Sequence, residues 1–204
     1  NPFVVLEQHK NSVTFVQRSD ENTKRDFPFD YELKIKYTIN GDTVTNEYIV
    51  TNTGEDKLPF VIGGHPAFNC PLTNGEKFED YKVVFDKNIT KPCLRPDHHT
   101  GLVNVFEKFD EMHGGDTLSL VHELFEEKDA LIFENCEAKS ATLIGKSGKG
   151  VKIEFQDMNN LLIWSAVGNA PFVALEPWTG LASCNDEDGL FEHKRGMTVL
   201  EKDE

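Results

Sequence analysis

Two stretches of this 204-residue chain set an ionisable side chain among apolar neighbours. In the stretch from Pro59 to Pro71, His65 stands between Gly63-Gly64 and Pro66, with Phe60, Ile62 and Phe68 nearby. Such neighbours favour a partly buried imidazole of fixed orientation, able to give or take a proton near neutral pH. The structural alternative is a core histidine bonded to backbone, since buried polar groups normally find a partner. In the stretch from Ala170 to Gly180, Glu176 ends an apolar run and is followed by Pro177 and Trp178. A carboxylate placed there loses hydration, which raises its pKa toward neutrality and suits a general base. The alternatives are an exposed strand end or a structural pair with an Arg.

Other apparent motifs fail on their spacing. Gly145-Lys146-Ser147 imitates the end of a phosphate-binding loop, but Ser140 stands where that loop needs its first Gly. Its flanks read as strands, so residues 145–150 are expected to form a hairpin turn. His98, His99 and His113 lack an acid or Cys spaced to complete a metal site, and no metal is expected. Cys70, Cys93, Cys136 and Cys184 form no tight pair, which favours free thiols in a cytoplasmic protein.

The elements that must position His65 and Glu176 read as strands. Residues 31–39 alternate apolar and polar side chains, Asn40-Gly41-Asp42 forms a turn, and residues 44–51 carry apolar groups on both faces. That second run is expected to be covered on both sides. Further short strands are expected at 13–16, 81–85, 130–133, 141–144, 151–155, 161–165 and 172–176. A helical period is never sustained, and residues 121–125 allow one helical turn at most. Residues 71–115, with Pro92, Pro96 and Gly101, are expected to hold long surface loops beyond the strand at 81–85. The whole reads as one all-β domain, a sandwich or barrel, spanning residues 1–204.

Bulk properties narrow the partners. The net charge is −14 with a pI near 4.9, which repels phosphate backbones and anionic surfaces, so neither nucleic acid nor membrane is expected. Mean hydropathy is −0.44, and no run of about 18 apolar residues occurs. A chain of this length buries roughly 70% of its unfolded surface, so it needs no metal or disulfide to fold.

The segments Gly-Gly-His-Pro-Ala-Phe-Asn-Cys-Pro (63–71) and Phe-Val-Ala-Leu-Glu-Pro-Trp-Thr-Gly (172–180) together resemble the two active-site segments of the aldose 1-epimerase, or galactose mutarotase-like, superfamily. The nearest likeness is its LacX-like branch. Phe27 to Tyr31 resembles the strand entry before the His segment, and Leu124-Phe125 with Asp129 to Ile132 resembles the middle segment. The resemblance implies a large antiparallel β-sandwich, or supersandwich, with a sugar lying on one sheet. It also implies that the chain is trimmed at both ends, lacking N-terminal strands that carry a sugar-holding Arg and often a second His.

The implied reaction is the interconversion of α and β anomers of a free aldose. Glu176 would take the proton of the C1 hydroxyl and His65 would protonate the ring oxygen, without cofactor. Each group must come within about 2.6–3.2 Å of its own sugar oxygen, which places the two roughly 5–8 Å apart in one cleft. Asp129 matches an acid that binds sugar hydroxyls, and its alternative is a solvated loop acid. Trp178 could stack on a pyranose face or fill the core. The competing functions are a non-catalytic carbohydrate-binding sandwich and a sugar-phosphate 1-epimerase. The partner is a small-molecule sugar, and the protein is expected to be a monomer or homodimer.

Overall fold

The structure is a computed structural model that describes residues 2–126 and 129–204. The chain forms two compact units, one from residues 2–60 with 198–204 and one from residues 61–197.

The first unit is a meander of β1 (Val4–Gln8), β2 (Ser12–Arg18), β3 (Tyr31–Asn40) and β4 (Thr43–Asn52), each antiparallel to the next. Gly41, at φ 62°, makes the tight β3–β4 turn that the sequence calls for. β5 (Leu58–Phe60) pairs with β16 (Thr198–Leu200). The buried Asn52 amide donates to Asp56 O and Leu200 O, tying the end of β4 to that pair. β4 is not covered on both sides as expected. It is the edge strand of its sheet, and Val44 is 64% exposed.

The second unit is a two-sheet sandwich. One sheet has the order β10 (Thr117–Ser119), β7 (Tyr81–Phe85), β12 (Ser140–Gly145) and β13 (Gly150–Glu154). The other has the order β6 (Ala67–Asn69), β15 (Phe172–Trp178), β14 (Asn160–Trp164), β11 (Leu131–Phe133), β8 (Cys93–Pro96) and β9 (Val103–Phe109). Val83, Phe85 and Leu143 of the first sheet pack on Leu131, Phe133, Leu161, Ile163, Val173 and Leu175 of the second. Each such buried side chain stabilises the unit by about 1.5–3 kcal/mol relative to its exposed state. The Phe85 and Phe133 rings meet edge to face across the sheets, 5.4 Å between centroids.

The fold is thus the expected all-β antiparallel sandwich, with a single short α-helix, α1 (Glu123–Glu126), among the described residues. Residues 145–150 do join two strands as a hairpin. The surface-loop expectation for residues 71–115 fails in part. The segment supplies β8 and β9, and Cys93, Leu94, Arg95, Val103 and Val105 are buried. Pro92 precedes and Pro96 ends a four-residue strand whose pairing with β9 is interrupted by a register shift, so no clean alternation survives in the sequence. The four cysteines are buried free thiols.

Candidate active site

The site is built on the face of the six-stranded sheet turned away from the sandwich core. Along β15, Val173 and Leu175 point into that core, so the period of two sends Ala174, Glu176 and Trp178 to the opposite face. Leu162, Ile132 and Leu94 lie in the same row as Glu176 and form an apolar floor. The Glu176 side chain is only 4% exposed there. Burial pushes its carboxyl up to about 7, opposed by the His65 charge, reinforced by the Asp129 charge and opposed by the Trp178 indole.

Register brings His65 to Glu176. β6 pairs antiparallel with β15, Ala67 opposite Ala174, and Gly63 bridges Trp178 further along. The same register carried between those points sets His65 opposite Glu176. The flanking backbone bonds are Gly64 N–H to Pro177 O and Leu175 N–H to Pro66 O, both 3.0 Å. Each would ordinarily be doubled, but Pro66 and Pro177 have no N–H to donate. His65 and Glu176 therefore form the non-hydrogen-bonded pair between two narrow ones, the position where opposed side chains lie closest. His65 Nε2 is 3.2 Å from Glu176 Oε1.

Two expectations need correction. The separation is not 5–8 Å, because the reach argument left out the attraction between an imidazole and a carboxylate on neighbouring strands. His65 is also not partly buried within apolar surroundings. Its side chain is 56% exposed, because it stands on the open face of the sheet above the buried carboxylate. An imidazole so exposed is not a core histidine.

Asp129 sits just before β11 in the left-handed region, φ 55°, which is uncommon for a residue with a Cβ. Its Oδ1 accepts from Trp164 Nε1 at 2.5 Å, so this half-buried acid is more than a solvated loop charge. Glu127 and Lys128, its sequence neighbours in the loop-acid alternative, lie outside the described residues. Trp178 packs on the glycines. A Cβ on Gly63 would lie 2.3 Å from Trp178 Cδ1, and the indole Nε1 donates to Gly64 O at 3.2 Å. Asn160, opposite Trp178 in β14, sends its buried amide to Thr179 O and Gly180 O and accepts from Asn135 N–H, which fixes where β15 ends.

Trp164 and Asn160 carry no sequence signal that separates them from core residues, since their partners come from distant segments. Arg95, the one buried arginine among the described residues, is on β8 with its guanidinium donating to Leu124 O and Glu111. Among the described residues no cluster of three His, Cys, Asp or Glu side chains could hold a metal ion, and no helix is long and apolar enough to cross a membrane.

The family model for aldose 1-epimerase matches residues 1–187, the greater part of the chain. The chain belongs to the aldose 1-epimerase family, and that membership supports a sugar-epimerase function of the mutarotase kind. Among curated proteins it is similar to the plasmid-encoded LacX protein of Lactococcus lactis subsp. lactis, 37% identical over 202 residues, or 97% of this chain and 67% of that protein. Among solved structures it is similar to a galactose mutarotase-like protein from Lactobacillus casei, with a TM-score of 0.86 and 30% identity over 99% of this chain and 69% of that one. A galactose mutarotase related enzyme from Lactobacillus acidophilus gives a TM-score of 0.89 at 27% identity, over 100% of this chain and 68% of that one.

Proposed function

We propose that this protein interconverts the α and β anomers of a free aldose, with Glu176 as base and His65 as acid. The observation that carries this reading is the facing pair itself, Nε2 to Oε1 3.2 Å, one group buried and the other open to water. A carboxyl pushed up to about 7 is matched to proton transfer near neutral pH. Ionised Glu176 takes the proton of the C1 hydroxyl while protonated His65 gives its proton to the ring oxygen. The C1–O5 bond breaks, C1 becomes an aldehyde, and rotation about C1–C2 presents its other face. His65 then recovers the proton from the attacking hydroxyl as Glu176 returns one to the carbonyl oxygen. No electrons change hands, so the two groups suffice without a redox cofactor.

Asp129 supplies a further acceptor for sugar hydroxyls, and the Trp178 ring offers a face for the C–H patch of a pyranose. The charged groups gathered here are two carboxylates and one imidazole, a setting that favours a neutral sugar over a sugar phosphate. The buried free thiols fit a reducing, cytoplasmic setting.

The test is the rate of anomer exchange, followed by polarimetry or by NMR with galactose and glucose. Glu176→Gln and His65→Asn should each lower kcat/KM by about 10²–10⁴-fold, the usual worth of a positioned acid or base. Wild-type rates indistinguishable from the uncatalysed reaction for every aldose tried would leave only sugar binding.

A further inference from the structure

Trp164 lies outside both sequence motifs, yet its one side chain touches two of the three ionisable groups of the site. It ends β14, with Ala174 opposite it in β15. Its indole N–H donates to Asp129 Oδ1 at 2.5 Å, a charge-assisted bond of the stronger kind. Its ring stands perpendicular to the His65 imidazole, 5.6 Å between centroids at 84°. Phe172 backs the same ring at 5.4 Å, and the hydroxyl of the adjoining Ser165 donates to Phe172 O at 2.8 Å. The indole is thus held from behind while it holds two groups in front.

Asp129 needs such a hold. Its left-handed backbone is a conformation that persists only where the surroundings impose it. A bond from the indole to Oδ1 leaves Oδ2 as an acceptor with a defined direction. We propose that Trp164 is a positioning residue of the sugar site, fixing the Asp129 carboxylate as a hydroxyl acceptor and bracing the His65 ring over Glu176. The sugar part of this inference rests on the function proposed above. Trp164 acts through Asp129 and His65, so its loss should appear first in sugar affinity.

The experiment has two arms. In ¹H–¹⁵N spectra of the full chain, the Trp164 indole resonance, assigned with Trp164→Phe, should move upfield in Asp129→Ala as the carboxylate acceptor is lost. In anomer-exchange kinetics, Trp164→Phe, which keeps an aromatic ring beside His65, should raise KM on the order of tenfold with kcat changed less than about threefold, as expected for a lost bond to a charged group. Adding Trp164→Phe to Asp129→Ala should raise KM no further, because without the carboxylate the indole has no acceptor left to position. An indole resonance indifferent to Asp129→Ala, or KM effects that multiply, would overturn the proposal. The spectral arm needs no turnover. A shifted resonance in a chain that equilibrates no aldose would uphold the Trp164–Asp129 link and defeat the proposed function alone.

Discussion

The His65 imidazole stands across the strand register from the Glu176 carboxylate, one side chain 56% exposed and the other 4%. The inequality suits the roles proposed for the two groups. The exposed ring can exchange protons with water between turnovers, and the buried carboxylate keeps the raised pKa that burial gives it.

The first prediction concerns pH. Glu176 must be ionised to act as a base, so kcat/KM should rise with pH through about 7. Asp129 raises the Glu176 pKa and His65 lowers it. Asp129→Asn should therefore shift the Glu176 titration to lower pH, and His65→Asn should shift it to higher pH. The ¹³C shift of the Glu176 carboxyl reads both directions without relying on turnover. Shifts of the opposite sign would contradict the electrostatics described here.

Stability should follow the same proton. The folded pKa of about 7 lies above the ordinary value of 4.5, so the folded chain binds this proton more tightly than the unfolded one. The associated stability is present below about 4.5 and lost as pH rises through 7. Glu176→Gln stays neutral throughout. It should match the wild type in acid and exceed it by about 3 kcal/mol at pH 8, at 1.36 kcal/mol per unit. Denaturant unfolding of both chains across pH 5–8 measures the gap, and a gap that does not widen with pH speaks against a buried, proton-hungry carboxyl.

Gly63 admits no side chain. Gly63→Ala would put a methyl 2.3 Å from Trp178 Cδ1, so the indole or the strand beside it must move. Overpacking of this kind costs about 1–3 kcal/mol. The displacement also disturbs the register that delivers His65, so activity should fall by more than the loss of folded protein explains. Unfolding curves and kcat per folded molecule separate the two effects.

Much of the frame was legible in the sequence. The 31–40 and 43–52 strands with the Gly41 turn, and the apolar runs of β7, β12, β14 and β15, carry enough length for their period to show. β5, β6, β10 and β16 are three residues each, too short for any period. β8 hides behind prolines and an arginine that is buried only because Glu111 and the Leu124 carbonyl receive it. For the site, local composition singled out His65 and Glu176, since an ionisable group among Gly, Pro and apolar residues stands out. Their contact depends on a register set by backbone bonds between distant segments. Trp164 escaped for the same reason. At the end of Leu161-Leu162-Ile163 it reads as one more apolar residue, and only folding supplies Asp129 and His65 as its neighbours.

Pro177 also leaves a debt on the neighbouring strand. In an ordinary narrow pair, residue 177 would donate to Gly64 O, and a buried carbonyl left without a donor is costly. The Trp178 indole fills that vacant role from the next position in the chain. Proline and tryptophan here work as a dipeptide unit, the second repairing what the first removes. Replacing the indole alone strands the oxygen, whereas restoring an amide at 177 makes the indole's nitrogen redundant and frees the ring for other contacts.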